Sequence, residues 1–228
     1  MKHIPICEEN PEECIKTNIE GTKNVIHAAI ANEVKQTILC STDKAVEPIS
    51  TYGSSKQTAE KLFLNAQSEH GAFSIVRLGN IWGSRGSVVP LFEKQKSSGV
   101  LTITDAEMTR FFCTEDQSAA TLLFALTKMK GHEIFIPKMT AVKITDLAIQ
   151  IAPACTHRII GLRGFEKTHE KLVSDIELPR IIENNDYLTI VATPLSDDEA
   201  LDQYQCRNLM DLNILDSQNS PALNPTHS

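Results

Sequence analysis

Between Pro11 and Gly83 the chain switches twice from a three-to-four-residue apolar rhythm to a short continuous apolar run, and this alternation limits the folds open to it. From Pro11 to Asn32, Ile15, Ile19, Thr22, Ile26, Ala29 and Ile30 recur at three- and four-residue steps, the spacing of one face of an amphipathic helix of about five to six turns. Thr37 to Cys40 is apolar without alternation, as in a parallel strand covered on both faces. Thr51 to about His70 returns to helical spacing, with Gly71 placed as a C-terminal cap. FSIVRLGNIWG, Phe73 to Gly83, is a second apolar strand entering a glycine-rich turn. Helix, strand, helix, strand in that order predicts parallel βα units in an α/β doubly wound sheet, against a sandwich or a bundle.

Beyond GSRGSVVP the pieces shorten. The pattern predicts a helix near Pro90 to Ser97, a strand at Leu101 to Thr104, a helix from Glu115 to Met129 and a strand in HEIFIPK. KITDLAIQIA follows as a helix with Thr145 as its cap, and HRIIGLR as the last strand. Periodicity weakens past Asp175, and Asp211 to Ser228 has the Asn, Ser and Pro content of a frayed tail. The expected division is residues 1–90 for the sheet, 91–175 for a smaller mixed α/β region, and 176–228 for an irregular extension.

Composition excludes several function classes. The 22 basic residues against 29 acidic ones give a net charge of −7, and no basic block offers a local footprint for nucleic acid. No run approaches the roughly 18 to 20 apolar residues of a membrane-spanning helix, and MKHIPICEENPEEC lacks the apolar core of a signal peptide, so no membrane partner and a cytoplasmic location are expected. Cys7, Cys14, Cys40, Cys113, Cys155 and Cys206 form no C-x-x-C pair and have no His at ligand spacing, so they are expected to be free, mostly buried thiols with no metal.

The chemistry concentrates in CSTDKAVEPISTYGSSKQTAEKL, residues 40 to 62. Tyr52 and Lys56 are four apart and share a helix face. A phenol is too weak an acid to serve as a base at neutral pH unless a cation beside it favours the phenolate. Asp43 and Lys44 lie just past the carboxyl end of the first strand, where ligands bind in open parallel sheets, so all four are expected to face one crevice. Y-x-x-x-K alone is commonly a solvated helix face, as is an Asp-Lys turn. The order strand, S-T-D-K, Y-x-x-x-K helix, strand, Gly79-Asn80 is what makes the pattern specific.

These segments, together with NPEECIKTNIEGTKNVI, VRLGNIWGSRGSVVPLF, ITDAEMTRFF, EIFIPK and IIGLRGFEKTHE, resemble the extended short-chain dehydrogenase/reductase superfamily. Within it they resemble the inverting UDP-N-acetylglucosamine 4,6-dehydratases of pseudaminic acid and polysaccharide biosynthesis. Related capsule-type enzymes share S-T-D-K-A but often carry Met where Tyr52 stands, which favours the shorter dehydratases. The resemblance covers about Met1 to Leu172 and implies a Rossmann-like fold, a UDP-sugar substrate, bound NADP (or NAD), and a homo-oligomer.

The family oxidises C4 of the sugar, eliminates water across C5 and C6, and returns the hydride to C6 with inversion at C5. Carried over by motif, Tyr52 takes the C4 hydroxyl proton, Lys56 lowers its pKa and holds the nicotinamide ribose, and Thr42 binds the neighbouring sugar hydroxyl. Asp43 is implied as the acid for the departing C6 hydroxyl, and Lys44 as the C5 base, which calls for a lysine of depressed pKa. Asn80, Arg85 and Ser87 resemble sugar-nucleotide contacts, and Arg110, Arg163 and Glu166 a UDP clamp. Where the family reads R-P-G-E-K-L-H-E, this chain has Arg163-Gly164-Phe165-Glu166-Lys167-Thr168-His169-Glu170, so the loop is not bound to the family's conformation.

The resemblance also implies a strand, a G-x-x-G-x-x-G turn and a helix that cradle the cofactor pyrophosphate. MKHIP aligns beyond them, so the chain is expected to be N-terminally truncated by about 60 to 100 residues at roughly 30 per βαβ unit. It is then expected to hold the catalytic half, with an open sheet edge and exposed apolar surface. Alternatives are a UDP-sugar 4-epimerase, told apart by its product, and an inactive UDP-sugar-binding remnant, told apart by failure to hold NADP.

Overall fold

The computed structural model describes residues 1–209 and 215–218. Helices α1 (Ile4–Glu9), α2 (Pro11–Ile15) and α3 (Gly21–Ala31) lead in, with a π turn at Lys16–Glu20 joining the last two. Strand β1 (Gln36–Thr42) runs through a 3-10 turn, Asp43–Ala45, towards α4 (Thr51–Leu64), which is followed by β2 (Ala72–Leu78) and the short β3 (Asn80–Ile81). Next come α5 (Val88–Gln95), β4 (Val100–Ile103), β5 (Thr109–Cys113), α6 (Glu115–Lys128), β6 (Ile134–Pro137) and β7 (Thr140–Lys143). The order closes with α7 (Ile144–Ile151), β8 (Thr156–Ile159), β9 (Ile181–Glu183), β10 (Tyr187–Ile190), α8 (Asp197–Tyr204) and β11 (Arg207–Asn208).

The main sheet has six strands in the order β1-β2-β6-β10-β9-β11. The pairs β1-β2 and β2-β6 are parallel, as the alternation predicts, and the remaining pairs are antiparallel. A three-stranded sheet β3-β5-β7 and a parallel pair β4-β8 stand beside it. Each part has its own core: Phe63, Phe73, Ile75, Val76, Phe135 and Ile136 under the main sheet, and Phe92, Leu101, Ile103 and Leu147 in the smaller region.

Several expectations are corrected. Helix α4 stops at Leu64 and ends on Asn65, not on Gly71. Gly71 instead lies so close to Val34 that a Cβ would overlap the Val34 carbonyl oxygen, so the glycine permits close packing. Ile15 and Ile30, assigned to the buried helix face, are 45% and 36% exposed, because the π turn shifts the face presented to the core by part of a turn. Thr145 lies inside α7, whose N-cap is Lys143, since β7 runs directly into the helix. HRIIGLR is not the last strand, and residues 178–208 are not an irregular extension. Their β9 and β10 continue the main sheet, where Ile181, Ile182, Leu188 and Ile190 are buried; these strands are too short to show a readable period. The Asp211 to Ser228 tail falls largely outside the described residues, but Leu215 and Ser217 are buried.

Strand β1 lies at a sheet edge, paired only with β2 among the described residues, and its exposure fits an edge: Cys40 is exposed and Ile38 and Leu39 are half-buried. Nearby helices carry exposed apolar side chains, Val25 on α3 and Leu123 on α6. No described helix is long and apolar enough to cross a membrane.

What positions the site is the entry to α4. Ser50 caps it, its Oγ accepting from the Gly53 N–H at 3.0 Å, while the Glu8 carboxylate accepts from the Thr51 N–H at 2.6 Å. Gly53 lets this first turn press on the Asp43–Ala45 turn: a Cβ there would collide with the Lys44 carbonyl oxygen and lie 2.9 Å from Pro48 Cβ. Gly53→Ala is expected to cost about 1–3 kcal/mol by forcing the two turns apart, measured as a lowered urea midpoint.

Candidate active site

The end of β1 carries the polar cluster because an apolar strand stops there and the chain turns tightly. Thr42 is the extended N-cap of the 3-10 turn, its Oγ1 accepting from the Lys44 N–H at 3.4 Å. Thr42 Oγ1 donates to Asp43 Oδ1 at 2.9 Å, and Lys44 Nζ donates to the same oxygen at 2.9 Å. From β3, Asn80 Oδ1 accepts from Lys44 Nζ at 3.0 Å. Lys44 is thus gripped by its neighbour Asp43 and by Asn80, 36 positions beyond it in sequence.

Two adjoining cavities meet at this cluster. The larger, of about 420 Å³, is lined by Lys44, Asn80, Ser87, Arg110, Arg163 and Glu166 among others. The smaller, of about 260 Å³, takes in Thr42, Tyr52 and Arg85 and shares Lys44, Asn80 and Ser87 with the larger. Polar oxygens face this region without a hydrogen-bond partner among the described residues: Ser41 Oγ, Ser87 Oγ and Glu170 Oε2. Buried unpaired oxygens are costly to keep, which suits a surface that a polar ligand completes.

Of the four groups expected in one crevice, Tyr52 and Lys44 line the cavities and two do not. Asp43 is wholly buried behind Lys44, and its Oδ2 has no hydrogen-bond partner among the described residues. Lys56 lines neither cavity, its Nζ donating to the Cys40 carbonyl at 2.7 Å. The charge logic is corrected with it. Burial pushes the Tyr52 phenol up, and the cation that opposes this is Lys44, with a Thr42 hydrogen bond adding to it. Burial pulls the Lys56 ammonium below its usual range despite Glu60. For Lys44, burial works against charge, but the Asp43 and Glu170 carboxylates outweigh it and hold the ammonium above the ordinary lysine range. This direction is opposite to the depressed lysine expected of a C5 base.

The clamp residues divide as well. Arg110 is buried and committed to the backbone: it donates to the carbonyls of Thr109 at 2.7 Å, Thr168 at 3.0 Å and Lys167 at 2.7 Å, so it shapes the 163–170 loop rather than presenting a free fork. Arg163 is half exposed and pairs bidentately with Glu166 at 2.9 and 2.5 Å, which holds the Glu166 carboxyl below its usual range against the effect of burial. The replacement of Pro-Gly leaves a turn closed by the Glu166 N–H on the Arg163 carbonyl at 3.0 Å. Arg85 is exposed on the rim of the smaller cavity.

Sequence reasoning missed Lys2 and His3, which line both cavities, and Glu170 and Lys167 in the larger one. The His3 ring rests on Gly86, where a Cβ would overlap it. No spacing in MKHIP marks these two, whereas the paired charges of EKTHEK were a usable signal for the loop. All six cysteines are free, with Cys40 exposed, and no group of metal-ligating side chains occurs among the described residues.

An α/β sheet with parallel strands β1, β2 and β6, whose first strand ends in a Thr-Asp-Lys cluster beside a helix-borne Tyr and Lys, defines a Rossmann-type fold. Solved dehydratases and epimerases share this fold. The chain belongs to the polysaccharide biosynthesis protein family, whose model matches residues 1–192. It is 47% identical over 196 residues to the inverting UDP-N-acetylglucosamine 4,6-dehydratase of Campylobacter jejuni, covering 83% of this chain and 59% of that one. It is 40% identical over 199 residues to a UDP-glucose 4-epimerase of Rickettsia rickettsii, covering 83% of this chain and 58% of that one. The X-ray structure of Pen from Bacillus thuringiensis superposes with a TM-score of 0.79 at 40% identity, covering 83% of this chain and 63% of that one. The chain therefore spans about three fifths of the length of these relatives.

Proposed function

We propose that the chain carries the acid–base half of a UDP-N-acetylglucosamine 4,6-dehydratase that inverts C5 and opens pseudaminic acid biosynthesis. The observation that supports this best is the Thr42–Asp43–Lys44–Asn80 cluster set between two cavities with Tyr52 beside it. An epimerase that works at C4 alone has no use for a second acid–base pair, whereas removing water across C5 and C6 needs one. The relatives named as dehydratases support the same choice.

The cofactor in this reading would be NADP or NAD, and it would supply hydride transfer for the oxidation at C4 and the reduction at C6. The chain's residues fit one end of a dinucleotide: Tyr52, the unpaired Ser41 Oγ and the Lys56 helix face lie about the end of β1. A glycine-rich strand-to-helix turn for the pyrophosphate does not occur among the described residues.

Tyr52 takes the C4 hydroxyl proton, and Thr42 steadies its phenol. Lys44 faces the sugar as an ammonium whose proton already points at Asp43 Oδ1, 2.9 Å away. Transfer along that hydrogen bond turns the ion pair into a neutral amine and a carboxylic acid, the form that low dielectric favours once substrate excludes water. The amine then removes the C5 proton, and Asp43 supplies the proton for the departing C6 hydroxyl through Lys44 or Thr42, since it has no opening of its own. Asn80 holds Lys44 on line, while Ser87, Arg85, Arg163 and Glu166 bind the nucleotide end of the cavity. The oligomeric form in this reading is a homo-oligomer.

The test is mass analysis of UDP-N-acetylglucosamine incubated with NADP and the purified chain, alone and with the glycine-rich part of the Campylobacter relative supplied in trans. Loss of one water in either mixture is the expected result, and in trans is where it is expected first. A C4 epimer of unchanged mass would replace the dehydratase reading with the epimerase one. No conversion in either mixture, with UDP-sugar still bound, would leave a sugar-nucleotide-binding protein and overturn the proposal.

A further inference from the structure

Glu170 is a buried carboxylate, 3% exposed, that lines the larger cavity. Its Oε1 lies 3.8 Å from Lys44 Nζ and 3.8 Å from Arg110 Nε, and its Oε2 lies 3.7 Å from Lys167 Nζ with no hydrogen-bond partner among the described residues. A carboxylate held this deep without a close hydrogen bond is expensive, so its position is imposed by the surrounding backbone. The restraint is visible. The Glu170 N–H donates to Ser217 Oγ at 2.8 Å, the Ser217 N–H donates to the Glu170 carbonyl at 2.9 Å, and the hydroxyls of Ser217 and Thr109 are 2.7 Å apart. Leu172 N–H also donates to the Leu215 carbonyl at 2.8 Å. Residues 215–218, beyond the stretch the family model matches, thus pin Glu170 from behind. In front, Lys167 Nζ reaches the Val46 carbonyl at 2.6 Å and Lys171 pairs with Glu47 at 3.1 Å, tying the same loop to the Asp43–Ala45 turn.

We infer that Glu170 is a positioning residue which, held by Ser217, acts as a second carboxylate on the Lys44 ammonium and sets how readily Lys44 gives up its proton. Lys44 is faced by Asp43 from its own turn, Glu170 from the loop, Arg110 from β5 and Tyr52 from α4. Two carboxylates against one close ammonium keep the lysine charged; with Asp43 alone beside Arg110, the balance moves towards the neutral amine. The inference rests on the dehydratase reading for its meaning in catalysis, but the charge state of Lys44 can be read without turnover.

The experiment is residue-resolved acetylation of the whole chain with acetic anhydride across a pH series, read by peptide mass spectrometry. Lys143, paired with the remote Glu107 at 3.0 Å, serves as the internal reference. Only the neutral amine reacts, so a downward shift of one pH unit gives about tenfold faster modification at a fixed pH below the midpoint. In Glu170→Gln, Lys44 is expected to react about tenfold or more faster than in the parent at about pH 8, with its midpoint moved to lower pH. Glu170→Asp, which keeps the charge, should return the midpoint towards the parent. Ser217→Ala leaves the carboxylate but frees its tether, and a smaller shift of the same sign is expected should Glu170→Gln fail to fold. A rise in rate at every pH with an unmoved midpoint would mean that Glu170 merely packs the loop, and would overturn the inference, as would no change in either Glu170→Gln or Ser217→Ala. Neither result bears on the product of the reaction, so the dehydratase reading stands or falls by its own assay.

Discussion

Replacing Arg77 with methionine is expected to cost about 3–5 kcal/mol of stability, the usual penalty for removing one partner of a buried charge cluster. Arg77 is 2% exposed on β2 and binds two carboxylates at once, Glu60 of α4 at 3.2 and 2.7 Å and Glu177 at 3.2 and 2.9 Å, while also donating to the Leu172 carbonyl at 2.8 Å. Methionine fills much of the volume but leaves Glu60, 4% exposed, buried without its cation. Because Glu60 lies on α4 and Leu172 just past the Glu170 loop, the damage should extend to the site. The pH dependence has a definite sign. Burial raises the Glu177 carboxyl, but Arg77 and the Ser174 hydrogen bonds outweigh this and hold it below its usual range. A depressed carboxyl contributes stability that is present above its unfolded pKa, about 4.3, and lost as the pH falls through the folded value. The parent should lose stability on acidification through this window, and Arg77→Met should show a flatter acid limb. Urea titrations at several pH values check both, and a loss below about 1 kcal/mol would show that the cluster is far less desolvated than the structure places it.

Tyr52→Phe is expected to lower turnover by about a hundredfold to ten-thousandfold in the preparation that converts UDP-N-acetylglucosamine, the range for loss of a general base. Stability should barely move. The Tyr52 ring packs against Cys7 and Cys14, which phenylalanine can do equally well. Since burial pushes the phenol up in spite of Lys44, activity in the parent should rise with pH on the limb governed by Tyr52. That limb should be absent from the residual activity of the variant. Loss of stability matching the loss of turnover would assign Tyr52 to the core instead.

Much of the fold could be read in advance where one residue pattern served one purpose. The run at Thr37 to Cys40 and the segment beginning at Phe73 became β1 and β2 in parallel register, Thr37 opposite Phe73 and Cys40 opposite Val76, but only β2 is covered on both faces as its apolar run predicts, since β1 is an edge strand with Cys40 exposed. Ends were less readable. Gly71 has the identity of a helix cap but serves a backbone contact with Val34, and a lone residue does not say which of the two uses of glycine it has. Strands β9 and β10 carry only three and four residues each, and their burial comes from partners far along the chain.

The sequence by itself determined which chemical groups the site contains: the Thr-Asp-Lys turn at a strand end, the Tyr and Lys one helical turn apart, and Asn80 after the next strand, since each is set by local spacing. Only the tertiary structure decided which of them face the cavities and in what charge state. Exposure and electrostatics depend on through-space neighbours: Glu170 arrives from 126 positions beyond Lys44 to lie 3.8 Å from it, Asp43 closes behind the lysine, and Lys56 is drawn to the Cys40 carbonyl. A pKa is the sum of such contacts and of the water they exclude, and neither is a property of spacing along the chain.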